Sequence, residues 1–252
     1  MPKKTDDWKP TCKRFVAFLD IMGFKDMVLR NSHEDVYKML KSFSPAVAAV
    51  EWAAKRDLKA KDTKATTRPV IFSDSIILIS SDDSKEAAND ILFNVRWIFY
   101  NAILREIPIK GAIAYGEQTA DFKKSLHFGK PLIDAYELQN EILLYSAVLH
   151  HTMEKRIIEL NMIEIVNDDN IFKYPVPMKA GKITHYIVDW TWSDIREEQI
   201  DMLSGLYYII SGTPRLYVDN TLDFVRWVTD RKAKLAQEKK SPSRPSTKRK
   251  QS

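Results

Sequence analysis

The sequence contains a single cysteine, Cys12, among its 252 residues. This excludes an internal disulfide and any multi-cysteine metal site, and it fits a reducing compartment. No apolar run approaches the ~20 residues that a membrane-spanning helix needs. The opening residues Met1–Asp7 lack the apolar core of a signal peptide, and no internal repeat is visible. These absences predict a soluble, cytoplasmic protein.

The charge balance excludes less than it first suggests. The net charge is +5, but Arg231–Ser252 holds nine Lys/Arg against one Glu, a local +8. The remainder is therefore mildly acidic, at −3. A segment this basic and this poor in apolar residues is expected to be a disordered, solubilising tail. No stable nucleic-acid or membrane partner is inferred from the isoelectric point.

Along the chain, 1–13 reads as a lead-in and 14–20 as a strand, Arg-Phe-Val-Ala-Phe-Leu-Asp, ending on Asp20. Gly23 makes a turn, and Val28, Val36, Met39, Leu40 and Phe43 then recur at roughly helical spacing. Ser32, three residues before Asp35, fits a helix cap. Residues 55–68 form a basic connection. Pro69–Phe72 and Ser75–Ser80 are two β-branched runs joined without spare residues, which predicts a tight hairpin with Asp74 at its tip. A helix is expected over 84–104, a strand over 108–116, a polar hairpin or flap over 117–126, and a helix opened by Pro131. Beyond residue 150, Ile183–Val188 reads as a strand, while 194–211 and 214–230 read as helices. The order β-α-β-β-α-β predicts a mixed α/β protein with the ferredoxin-like split βαβ core. Domain bounds follow as a lead-in over 1–13, a core over 14–165, an appendage over 166–230 and a tail over 231–252.

Asp20 and Asp74 lie 54 residues apart in sequence, yet this order projects them from neighbouring central strands. Two carboxylates supply hard oxygen ligands suited to Mg²⁺ or Mn²⁺ with substrate phosphates. Freed backbone N–H groups at Gly23 and the following helix start face the same place and suit a phosphate. Two metal ions about 3.5–4 Å apart activate an attacking hydroxyl and neutralise a leaving pyrophosphate.

The ordered segments also resemble a known family. Phe18-Leu19-Asp20-Ile21-Met22-Gly23-Phe24 is similar to the first metal-binding motif of class III nucleotidyl cyclases, and Ser73-Asp74-Ser75 falls where their second metal-binding aspartate lies. Lys110–Gly116 and Gly129–Leu138 are similar to the strand and helix that follow. Within that family the chain resembles most the pyrimidine cyclases of the bacterial Pycsar anti-phage system. The resemblance implies a homodimer with active sites at the subunit interface. It also implies conversion of UTP, or less favoured CTP, to the 3′,5′-cyclic monophosphate and pyrophosphate, with a separate effector acting through the product. It assigns Asp20, Asp74 and the Ile21 carbonyl to two Mn²⁺ or Mg²⁺ ions, and the backbone of Met22, Gly23 and Phe24 to the triphosphate. Arg68 and Lys130, with Arg96 behind them, are the candidate base or phosphate contacts. Where adenylate cyclases carry an adenine-reading Asp, this chain has Leu126; their Asn and Arg positions hold Ile133 and Glu137. A site lacking those polar groups does not favour ATP. Two other readings stay open: a catalytically inactive nucleotide-sensing or interaction module, and a palm-type nucleotidyltransferase.

Overall fold

The computed structural model describes residues 8–57, 67–162, 171–191, 201, 203–205, 208 and 210–240. Its centre is strand β1 (Thr11–Ile21), in which Arg14 to Leu19 are all buried. Successive strand residues point to opposite faces, so a strand buried at every position must be covered on both sides. The structure supplies that cover. Helix α3 (Lys85–Ile103) and helix α4 (Lys130–Glu141) both pack on β1.

Strand β2 (Thr67–Phe72) and strand β3 (Ser75–Ser80) form the expected hairpin, with Ser73 in the left-handed conformation (φ 55°) at its two-residue tip. Strand β4 (Ile109–Asp121) pairs antiparallel with β1 from Thr11↔Thr119 to Ile21↔Ile109. The first four strands thus run in the order β2-β3-β1-β4, all antiparallel. This is the split βαβ order that the sequence predicts. Helix α1 (Phe24–Arg30) and helix α2 (His33–Asp57) join β1 to β2, and α2 continues through Pro45. Ser32 caps α2 as expected: its Oγ accepts the Asp35 N–H at 3.1 Å and donates to the Asp35 carboxylate at 2.6 Å.

Beyond β4 the sheet continues. Strand β5 (Leu126–Gly129) folds back on β4, so the expected flap is a hairpin with its tip at 122–125. Strand β6 (Ala147–Leu149) is parallel to β4, helix α5 (His151–Glu159) follows it, and strand β8 (Gly181–Val188) joins β6 to strand β7 (Ile171–Met178). The stretch expected as an appendage therefore contributes two strands to the same sheet. No strand is expected from the sequence over 171–178, where Pro175 and Pro177 obscure the pattern. The structure resolves the conflict by making β7 the outermost strand. Pro177 turns its carbonyl away from β8 to accept the Leu143 N–H at 2.9 Å. Pro175 shares that orientation by the two-residue repeat, so both missing N–H donors fall on the outer edge, where proline is tolerated.

The last helix, α6 (Thr213–Lys240), corrects the expected tail boundary at 231. It packs Phe224 and Trp227 edge-on against Tyr174, with ring centroids 5.1 Å apart in each pair. Lys232 reaches the fully buried Asp189, its Nζ 2.5 Å from Oδ2. Thr191 donates to Asp189 Oδ1 from both its backbone N and its Oγ1, and Arg96 donates to the Asp189 carbonyl. Two of the expected packing tryptophans, Trp190 and Trp227, do pack in the structure; Trp192, most of the helix expected over 194–211, and the tail from 241 lie outside the described residues.

One glycine is dictated by the closeness of β1 and β4. A Cβ at Gly111 would lie 2.5 Å from Leu19 Cδ2 and 2.7 Å from the Phe18 carbonyl oxygen. Gly111→Ala is expected to cost about 1–3 kcal/mol by overpacking, read as a lower urea midpoint at unchanged slope. An unchanged midpoint would show that the two strands can separate freely.

Candidate active site

The end of β1 and the tip of the β2–β3 hairpin meet. Asp20 is the cross-strand partner of Ser75 on one side and of Lys110 on the other. One residue further, the Ile21 N–H donates to the Asp74 carbonyl at 2.9 Å, and the Met22 N–H donates to the Pro108 carbonyl at 2.8 Å. These bonds fix the hairpin tip beside the end of β1. The two carboxylates that sequence places on separate elements are thus brought together, each half-buried.

Gly23 takes a positive φ of 71° and starts α1 with no side-chain cap on the helix's first N–H groups. Met22 and Phe24 flank it, partly buried against the core. Extended backbone turns the N–H and C=O of one residue to the same edge, so Ile21, whose N–H meets Asp74, directs its carbonyl toward the hairpin as well.

The electrostatics of the pair are unfavourable as it stands. Burial, and next the negative charge of Asp74, push the Asp20 carboxyl up to about 6, although Lys110 pulls it down. Lys110 is itself buried, at 6 % exposure, and its ammonium is held below the usual lysine range chiefly by that burial. Lys110 does not offset two carboxylates in a partly dry setting. An all-oxygen donor pair with surplus negative charge fits a hard divalent cation, which reverses this penalty when it binds. Among the described residues no group of three or more His, Cys, Asp or Glu forms a metal cluster, at this site or elsewhere, so the pair supplies two carboxylates and no more.

The structure places the candidate cations apart from this pair. Arg68 is paired through Ile79 to Val16, four residues along β1 from Asp20. That is roughly 13 Å at the usual strand rise. Its guanidinium lies 4.4 Å from the Trp8 ring centroid and 5.3 Å from that of Phe122. Lys130 opens α4 beyond Gly129, the partner of Gln118, toward the far end of β4. It forms an exposed ion pair with Asp134 at 2.8 Å. Arg96 is buried on the Asp189 carbonyl and serves the fold. By register Arg68 and Lys130 thus stand along the sheet from the aspartates, and Arg96 is engaged with the Asp189 carbonyl.

Two residues beside Asp20 went unassigned in the sequence. Lys110 carries a local signal, a charge inside the otherwise apolar run Ile109-Lys110-Gly111-Ala112-Ile113. Tyr217 carries none, because it comes from α6 at the other end of the chain. Its ring centroid lies 5.7 Å from Lys110 Nζ and 5.8 Å from the stacked ring of Tyr145. Thr221 Oγ1 accepts the Tyr145 N–H at 2.9 Å and fixes this register of α6.

No family model matches the chain, and no curated protein matches it. Solved structures do. The chain is similar to the monomeric guanylyl cyclase domain of the RhoGC fusion protein from the aquatic fungus Blastocladiella emersonii, with a TM-score of 0.48 at 15 % identity over 70 % of this chain and 94 % of that one. It is similar to the adenylyl cyclase CyaB from P. aeruginosa, with a TM-score of 0.48 at 14 % identity over 73 % and 98 %. A third similar structure is the catalytic core of a rhodopsin-guanylyl cyclase with converted specificity in complex with ATPalphaS, at 0.48 and 15 % over 71 % and 98 %. The chain's structural neighbours are adenylyl and guanylyl cyclase catalytic domains.

Proposed function

We propose that this protein is a nucleotidyl cyclase that converts a pyrimidine nucleoside triphosphate, UTP in preference to CTP, to its 3′,5′-cyclic monophosphate and pyrophosphate. The observation that carries the reading is the meeting of Asp20 and Asp74 across the Ile21 N–H to Asp74 carbonyl bond. Two Mn²⁺ or Mg²⁺ ions, when bound, supply activation of the ribose 3′-hydroxyl and neutralisation of the leaving pyrophosphate. Asp20 and Asp74 hold them, with the Ile21 carbonyl as a third oxygen. The turn Met22-Gly23-Phe24 binds and orients the triphosphate for in-line attack at the α-phosphorus, through the uncapped start of α1, while the Met22 N–H is held by the Pro108 carbonyl. Leu126, exposed on β5, offers no hydrogen bond to a purine edge.

The protein acts as a homodimer in this reading. Arg68 and Lys130 lie away from their own chain's aspartates, so a second copy docked head to tail would bring its cations to them. Apolar side chains suited to such docking stand exposed on these elements: Phe72 on β2, Phe128 on β5, and Ile133 and Tyr136 on α4. No helix among the described residues is long and apolar enough to cross a membrane. We assign the product to signalling in anti-phage defence in the cytoplasm, where an effector would act through the cyclic nucleotide.

The test is incubation of the purified protein with each of the four NTPs and Mn²⁺, with products resolved by mass spectrometry. A cyclic pyrimidine monophosphate is expected, and it should fall below detection with Asp20→Ala and with Asp74→Ala. Cyclic AMP or cyclic GMP would overturn the base assignment alone. Linear dinucleotides would favour the palm-type transferase. Nucleotide binding without any product, in a folded dimer, would leave a sensing module.

A further inference from the structure

Lys110 is shut off from solvent. It is buried at 6 % exposure, with Asp20 beside it on β1, the Tyr217 ring 5.7 Å from its Nζ, and Glu141 and Lys179 as the other charges acting on it. Tyr217 is in turn backed by Tyr145, and Thr221 bonds α6 to the Tyr145 backbone. The ammonium thus lies against an aromatic face and within electrostatic range of the first aspartate, its cross-strand neighbour in the sheet. A lysine at the surface would have water to carry its charge; this one is buried, with a ring 5.7 Å away and the charge of Asp20 acting on it.

We propose that Lys110 is a resident counter-charge that sets how tightly Asp20 takes a divalent cation, with Tyr217 of α6 holding it in place. The inference rests on the metal-binding reading of Asp20 and Asp74. When the site is empty of metal, the ammonium neutralises part of the acidic pair and keeps β1 and the hairpin in register. When a divalent cation arrives, the same ammonium repels it, so affinity is lowered and release after turnover is favoured. Lys110 is thus a positioning residue that acts through Asp20. The C-terminal helix becomes part of the site by supplying the wall against which Lys110 is held.

The experiment is Mn²⁺ titration by calorimetry at pH 8.5, without nucleotide, on the full chain and on Lys110→Met, Lys110→Gln and Lys110→Arg, with Asp20→Ala as control. A monocation within about 8 Å of a dication is worth on the order of tenfold in affinity even at the dielectric of water. Lys110→Met and Lys110→Gln should therefore bind Mn²⁺ about tenfold more tightly, and Lys110→Arg should stay within about twofold of the parent. Two neutral variants are used so that a packing failure in one leaves the other to decide. Unchanged or weaker binding in a folded neutral variant overturns the proposal while the metal-binding reading stands. Equal tightening in Lys110→Arg overturns it too, because the effect would then come from packing. If the parent binds no Mn²⁺ that Asp20→Ala abolishes, the metal-binding reading falls and takes the proposal with it.

Discussion

Asp20→Asn is expected to melt several degrees higher than the parent protein at pH 7.5 in chelator, although it loses the metal-dependent reaction. The reason is the sign of the Asp20 shift. Its carboxyl rises from the ordinary 3.8 to about 6 in the folded state, through burial first and Asp74 second. An acid raised in this way binds more protons folded than unfolded between those two values. Stability therefore falls as pH rises through that window, and the full penalty is present above about 6. The raised value already contains the attraction of Lys110, so a neutral side chain of the same shape relieves more than it forfeits. Each kcal/mol relieved moves the melting temperature by about 2–4 °C in a domain of this size. The advantage of the variant should shrink from pH 7 toward pH 4, where the parent carboxyl is protonated. Mn²⁺ should stabilise the parent and leave the variant unmoved. Calorimetric melts from pH 4 to 8, with chelator and with Mn²⁺, decide the matter. A variant that melts lower than the parent at every pH would show that the ionised carboxylate is an asset to the empty fold.

Ending the chain after Asp230 is expected to lower the melting temperature by on the order of 10 °C, whereas ending it after Lys240 should change little. By composition both cuts fall in a basic tail. Structurally they differ in Lys232 and in Leu235, which packs against the core. The Lys232 ammonium is the partner of Asp189, whose side chain is completely buried. Removing one member of a buried pair leaves an uncompensated charge and costs about 3–5 kcal/mol, which converts to a shift of that size. Lys232→Met should reproduce most of the loss. Replacing both partners, as Lys232→Met with Asp189→Leu, should recover part of it, since the desolvation penalty disappears with the pair. A melting temperature indifferent to Lys232 would mean that its pairing with Asp189 contributes nothing to the fold.

The four-stranded core and the aspartate pair were legible because their signals are local. β1 announces itself as an unbroken apolar run, the hairpin as two β-branched runs with two residues between them, and α3 and α4 through amphipathic spacing. Chain order alone then places Asp20 beside Asp74. Other features were hidden for a common physical cause, that they depend on contacts between distant segments. Pro175 and Pro177 disguise β7 until its position at the sheet edge is known. Lys232 reads as one more tail charge until Asp189 is found beneath it. Arg68 looks like a ligand contact from its place before the hairpin, yet the register of β2 with β3 carries it four residues away from the aspartates. Tyr217 looks like any helical aromatic, and only the path of α6 across the sheet brings it to Lys110.

The prolines of β7 have a consequence for how copies of this chain can meet. Strands recruit further strands by offering a row of unpaired N–H groups, and such a row is the template for fibrillar growth. Along β7 that row is interrupted at 175 and 177, and the Leu143 N–H already occupies the Pro177 carbonyl between sheet and solvent. The opposite outermost strand, β2, carries Pro69. The sheet is therefore poor at lengthening sideways in either direction. Contact between copies then falls to the apolar side chains exposed on the hairpin, β5 and α4.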